Sequence, residues 1–320
     1  MIIEKKTKGR VTVYTVDADI TEDKMKDSIG KMLRREQIPL IIKADSDVYN
    51  TKGELLLRFR KNKLKQTDQI AFYDNVIKFA TTVNGTPRKV ASGNKKSMSN
   101  ILGYFDTLTS QQKYNLRLKS MGMPKVPVRE TAFFVNHPEK VKYILPLIQS
   151  IDRYYKKYVP TKYNAQHKKA QQTPFKLPKT TFTTITTNVN YTTAVHLDRG
   201  DDVDGFGNLA VIEHGKYTGG ETCLPRYGLG VDVRSGDVLF MNVHEPHGNL
   251  PITLLSPDAI RLSIVCYLRT NIWNLTKGTT KQFMETHLKR MHRNTKGIST
   301  RRVPNSKRRA TNKTTRRKHK

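Results

Sequence analysis

His196-Leu197-Asp198 is the segment of this sequence best equipped to do chemistry. On an extended strand, residues two apart project from the same face, so His196 and Asp198 can grip one metal ion together. The pair alone is weak evidence, because nine His and 17 Asp give about half an HxD by chance from composition. Two later segments strengthen it. Ser235-Gly236-Asp237 opens an apolar run that leads to His247-Gly248-Asn249, and Arg261-Leu262-Ser263 opens the next. Two histidines and one carboxylate, with coordination positions left open, make the facial triad of non-haem Fe(II) sites. The second histidine would be His244 or His247. They are three residues apart, so on a regular strand they face opposite sides and only one reaches the metal, although a bulge resets that parity. Arg261, on the following strand, would face the same cavity and hold a carboxylate with a two-pronged hydrogen bond. A keto acid with a second carboxylate at its far end, as in 2-oxoglutarate, would bridge the iron and Arg261.

Such a site needs strands to carry it. From Thr181 onward the sequence is rich in Thr, Val, Ile and Tyr, all strand formers. Short apolar runs recur at 207–212, 221–224, 230–233, 237–243 and 261–268, separated by Gly, Pro, Asn and Asp. That spacing predicts a sandwich, barrel or jelly roll rather than βαβ units. Upstream, the pattern predicts strands at 10–16 and 53–60 and a helix over 19–37 with Thr21 as N-cap. Further helices are expected over 68–82, with Ile70, Tyr73, Val76, Ile77 and Ala80 inward, and over 141–158. Residues 160–179 read as a surface connection. Cys223 and Cys266 read as core residues, His214 as a surface histidine, and Trp273 as packing at the end of the domain.

Charge adds a partner. Lys and Arg number 58 against 27 Asp and Glu, for a net +31, and residues 278–320 hold 15 Lys or Arg with one acid. A field of this sign recruits nucleic acid. Arg88–Asn100, basic and glycine-bearing, reads equally as a phosphate-contacting loop and as a solvated one. Beyond a short helix at 281–291, the C-terminal residues lack apolar periodicity and are expected to be disordered. No apolar run approaches the ~18 residues of a membrane span. The first ten residues lack the apolar stretch of a secretory signal, and two cysteines suit a reducing compartment. An intracellular protein of nucleus or cytoplasm is expected.

The sequence resembles a known family, the ten-eleven translocation/J-binding-protein (TET/JBP) branch of Fe(II)/2-oxoglutarate dioxygenases, and most resembles its phage and large-DNA-virus members. The likeness is carried by Phe182-Thr-Thr-Ile-Thr-Thr-Asn188-Val-Asn190-Tyr191, His196-Leu-Asp198-Arg-Gly200-Asp201 and Tyr217-Thr-Gly219-Gly220-Glu221. It continues through Ser235-Gly236-Asp237, His247-Gly248-Asn249 and Arg261-Leu-Ser263. It implies an α+β protein with a double-stranded β-helix, or jelly-roll, core, N-terminal helices and a disordered basic tail. The expected divisions are an N-terminal α/β region at 1–122 packed on the core, the dioxygenase domain at 123–275, and the tail at 276–320.

The resemblance implies Fe(II) held by His196, Asp198 and His247, with 2-oxoglutarate and O2 as cosubstrates. Arg261 and Ser263 fall where the family holds the far carboxylate of 2-oxoglutarate. Asn188 and Asn190 fall where polar residues reach the cosubstrate or the base, and a pair of strand-edge hydrogen bonds is an equal reading of the two. Asp201 stands where related enzymes have an Asn that reads the target base, and a carboxylate can accept from cytosine or thymine alike. The implied activity is oxidation of a pyrimidine 5-methyl group in DNA, either 5-methylcytosine to 5-hydroxymethylcytosine or thymine to 5-hydroxymethyluracil. DNA, with RNA as a second candidate, is the expected partner of a monomeric chain, and a viral origin would follow from the likeness. The alternatives are a protein prolyl or lysyl hydroxylase, and a non-catalytic jelly roll that binds nucleic acid.

Overall fold

The structure, a computed structural model, describes residues 2–83, 97–106 and 128–299. In chain order the first strands are β1 Ile2–Lys8, β2 Val11–Val16, β3 Leu40–Ile42, β4 Ser46–Asn50, β5 Leu55–Arg60, β6 Ser99–Phe105 and β7 Arg129–Glu130. They are followed by β8 Thr184–Val189, β9 Gly207–His214, β10 Tyr217–Gly219, β11 Thr222–Leu224 and β12 Leu229–Val231. The last are β13 Val238–Met241, β14 Gly248–Asn249, β15 Ile252–Leu254 and β16 Ile260–Tyr267. The helices are α1 Glu22–Lys26, α2 Gln66–Ala80, α3 Ala132–Asn136, α4 Val141–Tyr158, α5 Pro160–Ala170, α6 Thr270–Thr276 and α7 Lys281–Ser299. None of the described helices is long and apolar enough to cross a membrane.

Ten strands form one sheet in the order β1-β2-β4-β5-β13-β9-β16-β8-β6-β7. Facing it are a four-stranded sheet, β14-β11-β12-β3, and the β10–β15 pair. The strong alternation of side chains gives the large sheet two unlike faces. Ile185, Ala210, Ile212, Phe240, Leu262 and Ile264 point outward into a core shared with α2 and α4. Leu57, Phe59, Leu209, Val211, Leu239 and Met241 point inward and pack with Leu224, Leu229 and Val231 of the smaller sheet. Two facing sheets of this connectivity are the double-stranded β-helix expected from the sequence. The N-terminal strands build both sheets. β5 pairs with β13 from Leu57↔Met241 to Arg60↔Val238, and β3 runs parallel to β12.

Four local expectations change. The helix expected over 19–37 is only α1 and a 3-10 turn at Arg35–Gln37. Gly30, with φ 83°, interrupts it. There the chain turns to pair with Val195, through Gly30 N–H to the Val195 carbonyl and Val195 N–H to the Lys31 carbonyl. That contact braces the residue before His196. In α2 the inward residues are Gln69, Phe72, Val76 and Ala80, while Ile70 is exposed, so the buried face is rotated from the expected one. Residues 160–170 are helix α5, begun by Pro160 at its first position, where a missing N–H costs nothing. The C-terminal helix runs to Ser299 rather than 291. Its Leu288 and His287 sink among Tyr104, Val128, Phe175 and Ile272, an apolar stripe that the surrounding cations disguise. Residues 300–320 of the expected tail, and 88–96 of the basic loop, lie outside the described residues.

Candidate metal centre and its pocket

His196 and His247 meet through an isolated antiparallel bridge, each N–H donating to the other's carbonyl at 2.8 and 2.9 Å. The bridge sets the two rings side by side, with centroids 4.4 Å apart. His196 Nδ1 donates to the Ala194 carbonyl at 2.8 Å, and His247 Nδ1 donates to the Glu245 carbonyl at 2.9 Å. A carbonyl only accepts, so each Nδ1 carries the proton and each Nε2 keeps its lone pair. Both lone pairs face Asp198, whose two carboxylate oxygens lie 3.7 Å from His196 Nε2 and 3.5 Å from His247 Nε2. One ligand atom from each residue falls within 4.8 Å of the others. This donor set fits a mononuclear cation of the iron type: two neutral imidazoles and one carboxylate on one side, open space on the other. Burial pushes His247 toward the neutral form, but the Asp198 carboxylate outweighs it and raises the pKa. His244 is not among the clustered residues.

The cluster borders a cavity of about 330 Å³. Along β16 its wall is Arg261, Ser263, Val265 and Tyr267, and along β8 it is Thr186 and Asn188, alternate residues in both cases. Arg261 is buried, and burial lowers its pKa, opposed by the neighbouring Tyr217. The guanidinium nonetheless stays charged. Its place depends on Gly220, where an added Cβ would come 2.7 Å from Arg261 Nε; at Gly219 it would strike the Pro251 carbonyl oxygen at 1.8 Å. Both glycines have positive φ, so the Gly-Gly-Glu motif is a backbone device. Asn188 Nδ2 donates to Ser263 Oγ at 3.3 Å, and Asn188 Oδ1 accepts from Ser99 Oγ at 2.6 Å.

Asn190 stands apart from the pocket lining. It follows the end of β8 with φ 47°, which breaks the alternation that would have put it beside Asn188. Its side chain braces the backbone instead: Nδ2 donates to the Ala259 carbonyl at 2.9 Å, and Oδ1 accepts from Arg261 N–H at 2.7 Å. Asp201 does line the pocket, and its buried Oδ2 has no hydrogen-bond partner. Burial first, then the charge of Asp198, hold its carboxyl well above the usual range. Asp237 turns inward to the backbone, accepting from Asn62 and Arg234 N–H, so Gly-Asp is structural. His214 is exposed and paired with Asp258 at 3.2 Å. Cys223 and Cys266 are buried free thiols, and Trp273 bonds Gln172 at 3.0 Å.

Three further residues shape the site without having been assigned a role from the sequence. Asn249 accepts from Thr193 N–H and Oγ at 2.7 and 2.6 Å, fixing the segment that leads to His196. Phe105 and Arg269 form the rim, with the guanidinium 4.3 Å from the ring centroid and ion-paired to Asp106. Arg269 had a signal: it continues the every-second-residue series from Arg261. Phe105 had none, because β6 is distant in sequence.

Residues 119–270 match the family Tet_JBP, the oxygenase domain of the 2OGFeDO superfamily. That stretch is similar to the oxygenase domains of a superfamily that generally uses Fe(II), 2-oxoglutarate and O2. The chain is 31% identical over 185 residues to the bifunctional helicase and thymine dioxygenase JBP2 of Leishmania major, covering 58% of this chain and 16% of that protein. It is 31% identical over 194 residues to thymine dioxygenase JBP1-B of Trypanosoma cruzi, covering 60% of this chain and 23% of that one. The chain thus spans less than a quarter of the curated relatives compared. Its fold is also that of NgTET1 in complex with 5mC DNA, with a TM-score of 0.53 at 16% identity over 85% of this chain and 89% of that one.

Proposed function

We propose that this chain is an Fe(II)/2-oxoglutarate-dependent dioxygenase that oxidises the 5-methyl group of a pyrimidine in DNA. The observation that carries the reading is the His196–Asp198–His247 cluster sharing one cavity with Arg261, Ser263 and Asn188. Thymine, oxidised to 5-hydroxymethyluracil, is the favoured base, because both relatives named above are thymine dioxygenases. The second reading is 5-methylcytosine, favoured by the DNA bound to the protein of like fold.

His196, Asp198 and His247 would hold the iron, which when bound supplies oxidising power from O2 and 2-oxoglutarate. Arg261 would take the far carboxylate of 2-oxoglutarate, with Ser263 donating to the same group and Asn188 orienting Ser263. Asn190 contributes at one remove, by fixing the Arg261 backbone. Asp201, with an oxygen left unpaired toward the pocket, would accept from or donate to the edge of the base. Phe105 offers a ring face at the rim. A base in a duplex must be flipped to reach this depth, at a cost of a few kcal/mol, which the chain's positive charge offsets by binding phosphates.

The test is incubation with DNA containing thymine and 5-methylcytosine, followed by mass spectrometry of the nucleosides, with the His196→Ala protein as control. 5-Hydroxymethyluracil with succinate release is expected. Succinate release that DNA does not stimulate, accompanied by hydroxylated protein, would replace this reading with a prolyl or lysyl hydroxylase. No iron-dependent turnover at all would leave a non-catalytic binding module.

A further inference from the structure

The outer layer of the molecule has a feature that the pocket does not use. Residues 141–170, which form α4 and α5, carry seven Lys or Arg and a single acid, Asp152. That acid is buried, accepting from Thr181 N–H and Oγ at 2.7 Å each. Lys142, Arg153, Lys156, Lys157 and Lys168 are all exposed, and none makes an ion pair among the described residues; within these helices only Lys169 does, with Asp202 and Asp204. The adjoining strand is different: Arg58 and Arg60 share Asp47, and Lys61 faces Asp237. The face of α4 and α5 thus gathers five exposed, unpaired cations with no exposed acid among them.

Aromatic rings interleave with these charges. Lys142 lies 4.8 Å from the Tyr143 ring, Arg153 5.6 Å from Tyr154, and Lys157 5.5 Å from Tyr158. Tyr154 and Tyr158 stack at 5.8 Å, one helical turn apart. Tyr143 is 46% exposed. Solubility asks only for net charge, which cations spread over the whole surface would supply equally well. Here the rings seat the cations by cation–π contact and leave the charges facing solvent, which suits the phosphates of a duplex.

We propose that the α4–α5 face is a second nucleic-acid-binding surface, holding a segment of duplex DNA other than the one whose base enters the pocket. The proposal rests on the reading of this chain as a DNA-acting enzyme but requires no chemistry at the metal. The separation of the two sites follows from the fold. Ile144, Leu147, Ile148, Ile151 and Tyr155 of α4 pack on the outer face of the large sheet, whereas the pocket opens on its inner face. The sheet and a helix about 10–12 Å thick therefore lie between them. Duplex DNA is stiff over ~150 bp, so a straight segment seated at the pocket does not also run along α4. Bound at two faces, the enzyme would stay on a long DNA while one site releases product.

The test uses the full chain and the variant Lys142→Gln/Arg153→Gln/Lys156→Gln/Lys157→Gln/Lys168→Gln. Sedimentation with a short duplex is expected to give two duplexes per wild-type chain and one per variant chain. The slope of log affinity against log salt should become shallower by about 0.9 for each phosphate that the variant no longer neutralises. Product formation on a saturating short duplex should stay within about twofold, since binding at the pocket is untouched. The milder Lys156→Gln/Lys157→Gln protein should show the salt-slope change in part, and guards against misfolding of the fivefold variant. Equal stoichiometry and equal salt slope would overturn the proposal. So would unchanged DNA binding with lost binding to phosphatidylserine vesicles, which would make the face a membrane surface. If no base is oxidised by either protein, the enzymatic reading fails while the difference in stoichiometry still reports on this one.

Discussion

Along β16 the inward residues are Arg261, Ser263, Val265 and Tyr267, and the outward ones are Leu262, Ile264 and Cys266. β8 repeats the division, with Thr186 and Asn188 inward and Ile185 and Val189 outward. The cavity on one face of the sheet therefore gathers groups that are costly to bury: a guanidinium, an Asp201 oxygen without a partner among the described residues, and two imidazoles. The other is closed by aliphatic side chains and by the stacked rings of Tyr155 and Phe240, 5.7 Å apart. Polar groups drawn out of bulk water do not stabilise a fold on their own. The apolar face holds the strands rigid so that the polar face can stay in place, ready for ligands. Substitutions on the two faces should accordingly separate function from stability.

The largest effect is expected on the polar face. His196→Ala or His247→Ala should weaken iron binding by more than about 100-fold, beyond the loss from removing an outer partner of a ligand. Thermal stability should barely change. His244→Ala should bind iron as the wild type does. Iron titration decides, and the division of labour between these two histidines breaks if His244→Ala loses iron while His247→Ala keeps it.

Phe240→Ala makes the opposite cut. It removes a fully buried ring from the outer core, and such truncations cost about 3–5 kcal/mol. Denaturant unfolding should show this loss, while the folded protein keeps its apparent KM for 2-oxoglutarate. A large rise in that KM would mean that the two faces are not separable.

Arg261→Lys is a subtler change on the polar face. Lysine keeps the charge but not the planar fork. The apparent KM for 2-oxoglutarate should rise by roughly tenfold, equivalent to about 1.4 kcal/mol, with little change for DNA. Equal changes in both would remove Arg261 from the cosubstrate end.

The legibility of these features in the sequence follows the range of the interactions behind them. Alternation is local, so the β8 and β16 faces, and with them Asn188, Arg261 and Ser263, can be read directly. The His196–His247 pairing is long-range, yet both residues sit in short motifs and the resemblance supplies the partner. For Asn190 the strand-edge reading holds, because parity does not extend past the end of the strand, where its positive φ ends the alternation. Helix α5 is hidden by polar composition, because only Tyr163, Gln166 and Ala170 of its eleven residues are buried. The break at Gly30 is set by a partner 165 positions away at Val195, which no local window contains.

The smallest effect concerns a second buried histidine, which sharpens the contrast between the faces. His247 points into the pocket and has a carboxylate, which raises its pKa. His287 lies on the outer side, stacked on Phe283 with centroids 5.8 Å apart and bonded through Nε2 to the Val128 carbonyl at 2.7 Å. Burial there lowers its pKa from 6.5, with Arg290 adding to the effect and the Val128 bond opposing it. The undocked helix then binds protons more readily than the docked one. Docking stability of α7 is complete above about pH 6.5 and is lost as pH falls from there toward the depressed folded value, by at most about 1.4 kcal/mol per pH unit. Hydrogen exchange of the α7 amides should quicken between pH 7.5 and pH 5.5 after correction for the intrinsic rate. The His287→Gln protein retains an N–H donor but does not titrate, so its corrected exchange should be flat. Protection in the wild type that holds constant across this range would mean that His287 is not the group that couples the helix to pH.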